Sequence, residues 1–331
     1  MALTERNNTY RQVRTIVLSC ALVVLIMPYV FVGYVRFQQT HRPAFAVEFP
    51  VTVNPRTKTI IDDKRVEAYL RSKTSPLQAS VLVAFSKLSE LGASTVASFS
   101  NFAMEHSLAL AGQEKIITVA PGARKEEIAA AFARVLSWSA EEKKEFLNAD
   151  EGFLFPGMYI VNANASPSEV RGVVDTKFNE NIASRYSTTI EEIVPLTTAL
   201  TIASLIQKET VGTRDMRLVS GIIWNRIFAG QKLQLDATLQ YAKASKVQNG
   251  QWWPKVLSKD KFIESPYNTY KYQGLPPTPI ANPSVAAVIA ALNPVKTDCY
   301  YYFHDTNGEM HCSPDYKTHA ALIKQFFTGS L

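Results

Sequence analysis

A chain of 331 residues, 47% hydrophobic and 19% charged, has the material for two or three packed units and is not a disordered tail. Its net charge of +6 suits an anionic partner such as a phospholipid surface or an acidic cell-wall polymer. Lys/Arg-rich runs interleaved with aromatics are missing, which argues against nucleic acid.

The first element lies between Thr15 and Val35, "TIVLSCALVVLIMPYVFVGYV", with no charged residue. At 1.5 Å per residue this stretch spans a bilayer core of roughly 30 Å. Arg6, Arg11 and Arg14 precede it against Glu5 alone, and Arg36 and Arg42 follow. The bias predicts a cytoplasmic N-terminus over residues 1–14 and a single-pass anchor over 15–35 in the cytoplasmic (inner) membrane, in contact with its lipid. The rest of the chain is then extracytoplasmic. The competing reading is a cleaved signal peptide, with Ala44–Ala46 ("AFA") as the cleavage match. The apolar stretch is longer than a signal core, and the match lies well past its end.

Residues 36–50 read as a stalk. Residues 51–165 read as a small α+β region. In it "RVEAYLRSK", "LQASVLVAFSKLSEL" and "KEEIAAAFARVL" repeat apolar residues at helical spacing. "KIITVAPG" reads as a strand ending in a Pro-Gly turn, followed by a helix from about Lys125, and "EGFLFPGMYIV" as a loop entering a strand. From Ser166, "SPSE" is a capping box with Pro at the first helical position, opening a helix to about Arg185. Pro195 opens the next helix, to about Thr210, with Gly212 as a stop. "RDMRLVSGIIWNRIFAG" gives another, terminated at Gly230. Pro266–Pro283 is too rich in Pro, Gly and Asn for helix or interior strand, and ordered loops of that length are usually functional. A helix at about 284–292, a hairpin, and a helix after Ser313-Pro314 complete the chain.

Of the three cysteines, Cys20 lies in the apolar segment, and Cys299 and Cys312 flank the hairpin. With Asn307-Gly308 as a two-residue turn, Phe303 faces Cys312 and a direct disulfide is out of register. Two small buried thiols are then expected, with the disulfide as the alternative.

"SLIQKET" places Glu209 at the end of an apolar helix. On a helix it shares a face with Ile202, Leu205 and Ile206, while Gln207 and Lys208 occupy the exposed side. A carboxyl facing packed side chains loses solvation and its pKa rises, as a general acid requires. The alternatives are a buried glutamate paired with Arg214 or Arg226, and a frayed end in solvent. HExxH, CxxC and GxSxG are absent; "SKDK" is an isolated SxxK match; and His304, His311 and His319 form no metal pattern.

"EGFLFPGMY", "ASLIQKET", "WNR", "LQLDATLQY", "SPYNTY", "GLPPTPIANP" and "ALNPVKTDCYYYF" follow one another in an order and spacing that resemble the membrane-anchored endolytic murein transglycosylases, the MltG/YceG-like family. "ITVAPGARKEEIAAAF" is similar to that family's LysM-like module. The resemblance implies an α+β protein with one N-terminal transmembrane helix, a small LysM-like α+β module within 51–165, and a mixed α/β catalytic domain over 166–331.

It also implies a reaction: cleavage of MurNAc–GlcNAc bonds inside peptidoglycan glycan strands, without metal or cofactor. Glu209 is the catalytic residue by this resemblance, first as acid to the leaving oxygen and then as base to the muramic C6 hydroxyl. The product is a 1,6-anhydro end. One carboxyl suffices because the nucleophile belongs to the substrate. Asn225, Asp236, Thr238, Tyr267, Asn268 and Asn282 are the candidates to bind sugar hydroxyls and N-acetyl groups. Internal hydrogen bonding is their alternative, and the stronger one for Asp236. Trp252 and Trp253 are candidates for stacking on sugar faces or for core and surface packing.

The chain departs from the family's pattern at Gln207 (Glu), Met310 (His), Cys312 (Phe) and Thr318 (Glu), while His319 matches. The implied role is to trim or terminate nascent strands beside cell-wall synthesis proteins. A non-catalytic glycan-binding scaffold is the alternative, and a hydrolase using Asp236 as a second carboxylate is a third reading.

Overall fold

The computed structural model describes residues 48–63, 66, 114–210, 212–247 and 250–328. The expected anchor over 15–35 and the two helical patterns between residues 65 and 91 lie outside these residues. Among the described residues no helix is long and apolar enough to cross a membrane. The elements are mixed, as an α+β class requires. The chain divides into two compact units, one of them taking in 69–117 and 158–165 and the other 45–68, 118–157 and 166–331. In the first, strand β3 (Glu114–Val119) pairs with β4 (Gly157–Asn162), where Tyr159 is fully buried.

The second unit begins with a two-stranded ribbon, β1 (Val53–Asn54) and β2 (Thr59–Ile60), paired antiparallel. Of residues 48–50, expected as the end of a stalk, the middle one is packed. Phe49 is buried and its N–H donates to Arg185 O at 3.1 Å. Helices α1 (Lys125–Leu136) and α2 (Ala140–Phe146) follow, then α3 (Pro167–Asn181), opened by the Ser166–Glu169 capping box, and the short α4 (Thr188–Ile193).

The core of this unit is α5 (Leu196–Glu209), packed on α8 (Val285–Leu292) and on α6 (Met216–Phe228). Every residue of α5 from Ala199 to Ile206 is buried, so this is a helix with no solvent face rather than an amphipathic one. Its two buried hydroxyls need partners in such a place. Thr201 donates to Thr197 O, and Ser204 donates to Thr201 O while accepting the Ile280 N–H at 3.0 Å.

The last of these bonds ties α5 to the 266–283 loop, which is ordered by buried amides. Asn282 accepts from the Gly152 and Leu154 N–H groups at 3.0 and 2.8 Å. It donates to Ala123 O and to Glu151 Oε1 at 3.0 and 2.7 Å. Glu151 is itself buried and accepts the Lys125 N–H at the start of α1; burial and the neighbouring Glu126 carboxylate push its pKa up to about 8.

Helix α6 holds the chain that follows α8. Trp224 Nε1 donates to Ala291 O, Arg217 Nε to Asn293 O, Asn225 Nδ2 to Thr297 O and Cys299 O, and Arg226 Nε to Tyr300 O, all between 2.7 and 3.0 Å. The backbones approach so closely at Gly221 that an added Cβ would sit 2.2 Å from Val295 O. Helix α7 (Asp236–Val247) was not foreseen as a helix.

The hairpin β5 (Tyr301–His304) and β6 (Met310–Ser313) corrects the expected register. Cys312 pairs with Tyr302 and not with Phe303. The connection runs over 305–309 rather than through two residues, because the Asp305 carboxylate accepts the Asn307 and Glu309 N–H groups and organises a longer turn. Cys299 then reaches Cys312 from just before the strand, and the two form a disulfide with a Cα–Cα distance of 5.8 Å. Helix α9 (Tyr316–Thr328) packs on this hairpin through Phe326 against Phe303 and His311.

In an open helix Gly→Ala stabilises by roughly 1 kcal/mol. At Gly221 the sign reverses: Gly221→Ala is expected to lower stability by about 1–3 kcal/mol through overpacking, read as a lower urea midpoint with an unchanged m-value.

Candidate active site

A cleft of about 630 Å³ opens in the second unit, lined by the end of α5, the start of α7, Arg226 of α6, Lys261 and Tyr270, the first residues of β5, and Tyr316 and His319 of α9. Glu209 closes α5 at its edge. The face argument holds for its neighbours, since Ile202, Leu205 and Ile206 are fully buried. Gln207 and Lys208 are not on an exposed side as expected. Gln207 Oε1 accepts the Ser284 N–H, and Lys208 Nζ lies 3.5 Å from the centre of the Trp253 ring, so both are half-buried.

Part of the Glu209 side chain faces the cleft, but protein surrounds its carboxyl. Loss of solvation pushes its pKa up, and the Asp236 charge adds to this. A hydrogen bond from the Tyr302 hydroxyl to Oε2 at 2.8 Å and the Ala237 N–H act the other way. Among the described residues no Lys or Arg forms an ion pair with Glu209. Arg214 is engaged with Asp215, and Arg226 spends its donors on Tyr300, Lys232 and Leu233 carbonyls. A carboxyl with a hydrogen-bond donor, but no cation to hold it ionised, is suited both to give and to take a proton.

Of the other sequence candidates, Asp236 alone joins Glu209 at the cleft, where Tyr270 donates to its Oδ1 at 2.6 Å. The remaining five are committed to internal bonds and do not line it. Asn225 holds the Thr297 and Cys299 carbonyls. Thr238 is buried between Leu235 O and Thr269. Tyr267 meets Thr278 and packs on Tyr241. Asn268 donates to Lys261 O and Ile263 O and accepts from Tyr270 and Lys271, and Asn282 is the crosslink described above. Trp252 lies against the Arg124 guanidinium and Trp253 donates to Glu127, both outside the cleft.

Sequence reasoning missed Tyr302, Tyr270, Lys261 and Tyr316. Period-two alternation through "YYYF" was the available signal. It sends Tyr301 and Phe303 toward α9, where both meet His319, and Tyr302 toward α5. Burial and the Arg226 charge lower the His319 pKa, so that ring is neutral at physiological pH. The grouping of potential metal ligands among the described residues is Asp305, Glu309 and His311 at the hairpin turn. There the Asp305 oxygens are taken by the turn's N–H groups and by His311 Nε2 at 3.0 Å.

Because the Glu209 pKa is raised on folding, the unfolded chain ionises first as pH rises. The associated stability is complete below the ordinary value of 4.5 and is lost as pH climbs through the raised value. Glu209→Gln cannot ionise. Its melting temperature is expected to match that of the parent near pH 4 and to exceed it increasingly toward pH 8, as thermal melts in a pH series would read.

The chain has relatives among described proteins. It is 33% identical to the endolytic murein transglycosylase of Bacillus subtilis, over 64% of this chain and 65% of the relative. It is 32% identical to the protein of the same description from Streptococcus pneumoniae, over 55% of this chain and 33% of the relative. The chain thus spans less than two thirds of either relative's length. The crystal structure of a YceG-like protein from Listeria monocytogenes superposes with a TM-score of 0.53 at 26% identity, covering 62% of this chain and 75% of that one. A family model matches residues 94–325, well over half of the molecule, and the protein therefore belongs to the YceG-like family.

Proposed function

We propose that this protein is an endolytic lytic transglycosylase acting on peptidoglycan glycan strands. The observation that carries the reading is the Glu209 carboxyl, poorly solvated at the cleft and bonded by a neutral phenol in place of a cation. In the first step the protonated carboxyl gives its proton to the glycosidic oxygen as the MurNAc–GlcNAc bond breaks. In the second the carboxylate takes the proton of the muramic C6 hydroxyl as that oxygen attacks C1. The sugar is left as a 1,6-anhydro end, no water is consumed, and Glu209 returns to its starting state. The two bacterial relatives described as endolytic murein transglycosylases support the substrate class.

Residues 15–35 anchor the chain in the inner membrane in this reading, with the cleft outside the cytoplasm and within reach of nascent strands and the proteins that make them. The Cys299–Cys312 disulfide supports an oxidising compartment. The LysM-like module within 51–165 serves as a glycan-binding unit. Asp236, which faces the same cleft, favours a second reading as a hydrolase with two carboxylates.

Purified full-length protein incubated with isolated sacculi is expected to release fragments with anhydro ends, identified by mass spectrometry. Glu209→Gln is expected to lower that release by about 10²–10⁴-fold. Reducing ends in place of anhydro ends would establish the hydrolase. Binding of sacculi by both proteins without cleavage would establish a scaffold.

A further inference from the structure

The Glu209 partner, Tyr302, is fastened from three directions. Its hydroxyl meets Glu209 Oε2 at 2.8 Å. Just before it in the chain, the carbonyls of Cys299 and Tyr300 are held by Asn225 and Arg226 of α6. Across the ladder its partner is Cys312, which is itself crosslinked to Cys299. The crosslink thus closes a small ring of chain in which Tyr302 sits three residues from one sulfur and directly opposite the other.

We propose that the disulfide-closed hairpin is the positioning device for the active-site acid: the Cys299–Cys312 bond holds Tyr302 in register, and Tyr302 fixes the orientation of the Glu209 carboxyl. This rests on the lytic reading of Glu209. A phenol that donates to Oε2 makes that oxygen an acceptor, so the proton of the neutral acid resides on Oε1. Burial and the Glu209 charge raise the Tyr302 pKa, so its hydroxyl remains a donor throughout the working range. A carboxyl free to turn would present its proton from either oxygen and lose the alignment that both proton transfers need.

The Ala237 N–H of α7 also donates to Glu209, and the other side chains facing the carboxyl do not replace the Tyr302 contact. Asp236 of α7 opposes its ionisation, and the Tyr270 hydroxyl from the long loop is committed to Asp236. Arg226 is committed to carbonyls, and Lys261 lies 4.9 Å from the Tyr270 ring centre. Tyr302 is a positioning residue, because its action is on Glu209.

The test compares the parent, Tyr302→Phe and the Cys299→Ser/Cys312→Ser double variant, each with and without a dithiol reductant. Reduction breaks the S–S bond; each sulfur gains an electron and a proton, and the dithiol closes to its own disulfide. Circular dichroism confirms that each protein is folded. Tyr302→Phe is expected to lower kcat for anhydro-end release by roughly 10- to 100-fold with KM little changed. It should also move the alkaline limb of the pH profile upward, since a donor that favoured the carboxylate is gone. Reduction should reproduce part of both effects in the parent and add nothing to Tyr302→Phe. An unchanged pH profile in Tyr302→Phe would overturn the proposal, as would a reductant effect of equal size in Tyr302→Phe and the parent.

A second readout does not depend on activity. The pH at which the growing difference in melting temperature between Glu209→Gln and its parent levels off reports the folded-state Glu209 pKa, and in the Tyr302→Phe background that plateau should move to higher pH and become larger. If it moves while no protein releases anhydro ends, the positioning stands and the lytic reading fails. If it does not move, the positioning itself is wrong. Should the double cysteine variant not fold, the reduced parent, monitored in the same melts, serves in its place.

Discussion

A helix buried on every side has nowhere harmless to end. From Ala199 to Ile206 helix α5 has no face to solvent, so whatever follows its last apolar turn emerges in poorly hydrated surroundings. There the residue is a carboxylic acid at the negative end of the helix dipole, where a second negative charge is unwelcome. Burial and dipole both favour the neutral acid, and a guanidinium beside it would have cancelled that preference. The fold keeps cations occupied elsewhere: Arg226 bridges carbonyls and Arg214 pairs with its neighbour. Everything else about the cleft follows from keeping this carboxyl poorly solvated and bonded by a phenol.

That arrangement needs rigid walls, and most of them are irregular chain. Long segments without helix or strand can be buried only if their backbone groups are satisfied, and side-chain amides do this economically because each carries donors and an acceptor. Asn225, Asn268, Asn282 and Asn293 each bridge two or more backbone groups from segments that no ladder joins. The polar motifs that look most like sugar-binding loops are in this sense the mortar of the unit. The polar groups facing the cleft are phenols, an arginine, a lysine, a glutamine, a neutral histidine and two carboxyls, a lining suited to hydroxyl-rich ligands.

Much of this could be read from the sequence where the cause is local. The Ser166 box, Pro195, Gly230 and the Pro-rich loop mark their own boundaries, because capping and backbone restriction act within a few residues. The apolar neighbours of Glu209 were readable for the same reason, since helical spacing puts them on its face. What resisted reading was non-local. Asn268 and Asn282 could not be divided between ligand and structure without knowing which carbonyls they would meet. Gln207 and Lys208 looked exposed because no rule of helical spacing includes Ser284 or Trp253. The hairpin was misjudged by one residue because Asp305 captures two N–H groups and lengthens the turn, and that slip alone separated an implausible disulfide from a formed one.

The separation of 93 residues between Glu209 and Tyr302 carries one more consequence. Loop-closure entropy makes contacts of such span costlier than those within the local helices, and this one cannot form before the hairpin has been synthesised. A chain that has reached α8 already possesses its core and its glutamate but lacks the opposite wall. The hairpin, its crosslink and α9 come last, so a partly made or partly folded copy carries the acid in an open, hydrated setting where it has neither its partner nor its altered affinity for a proton. The Glu209 carboxyl in this way acquires its partner and its raised pKa only when nearly the entire unit has closed around the cleft.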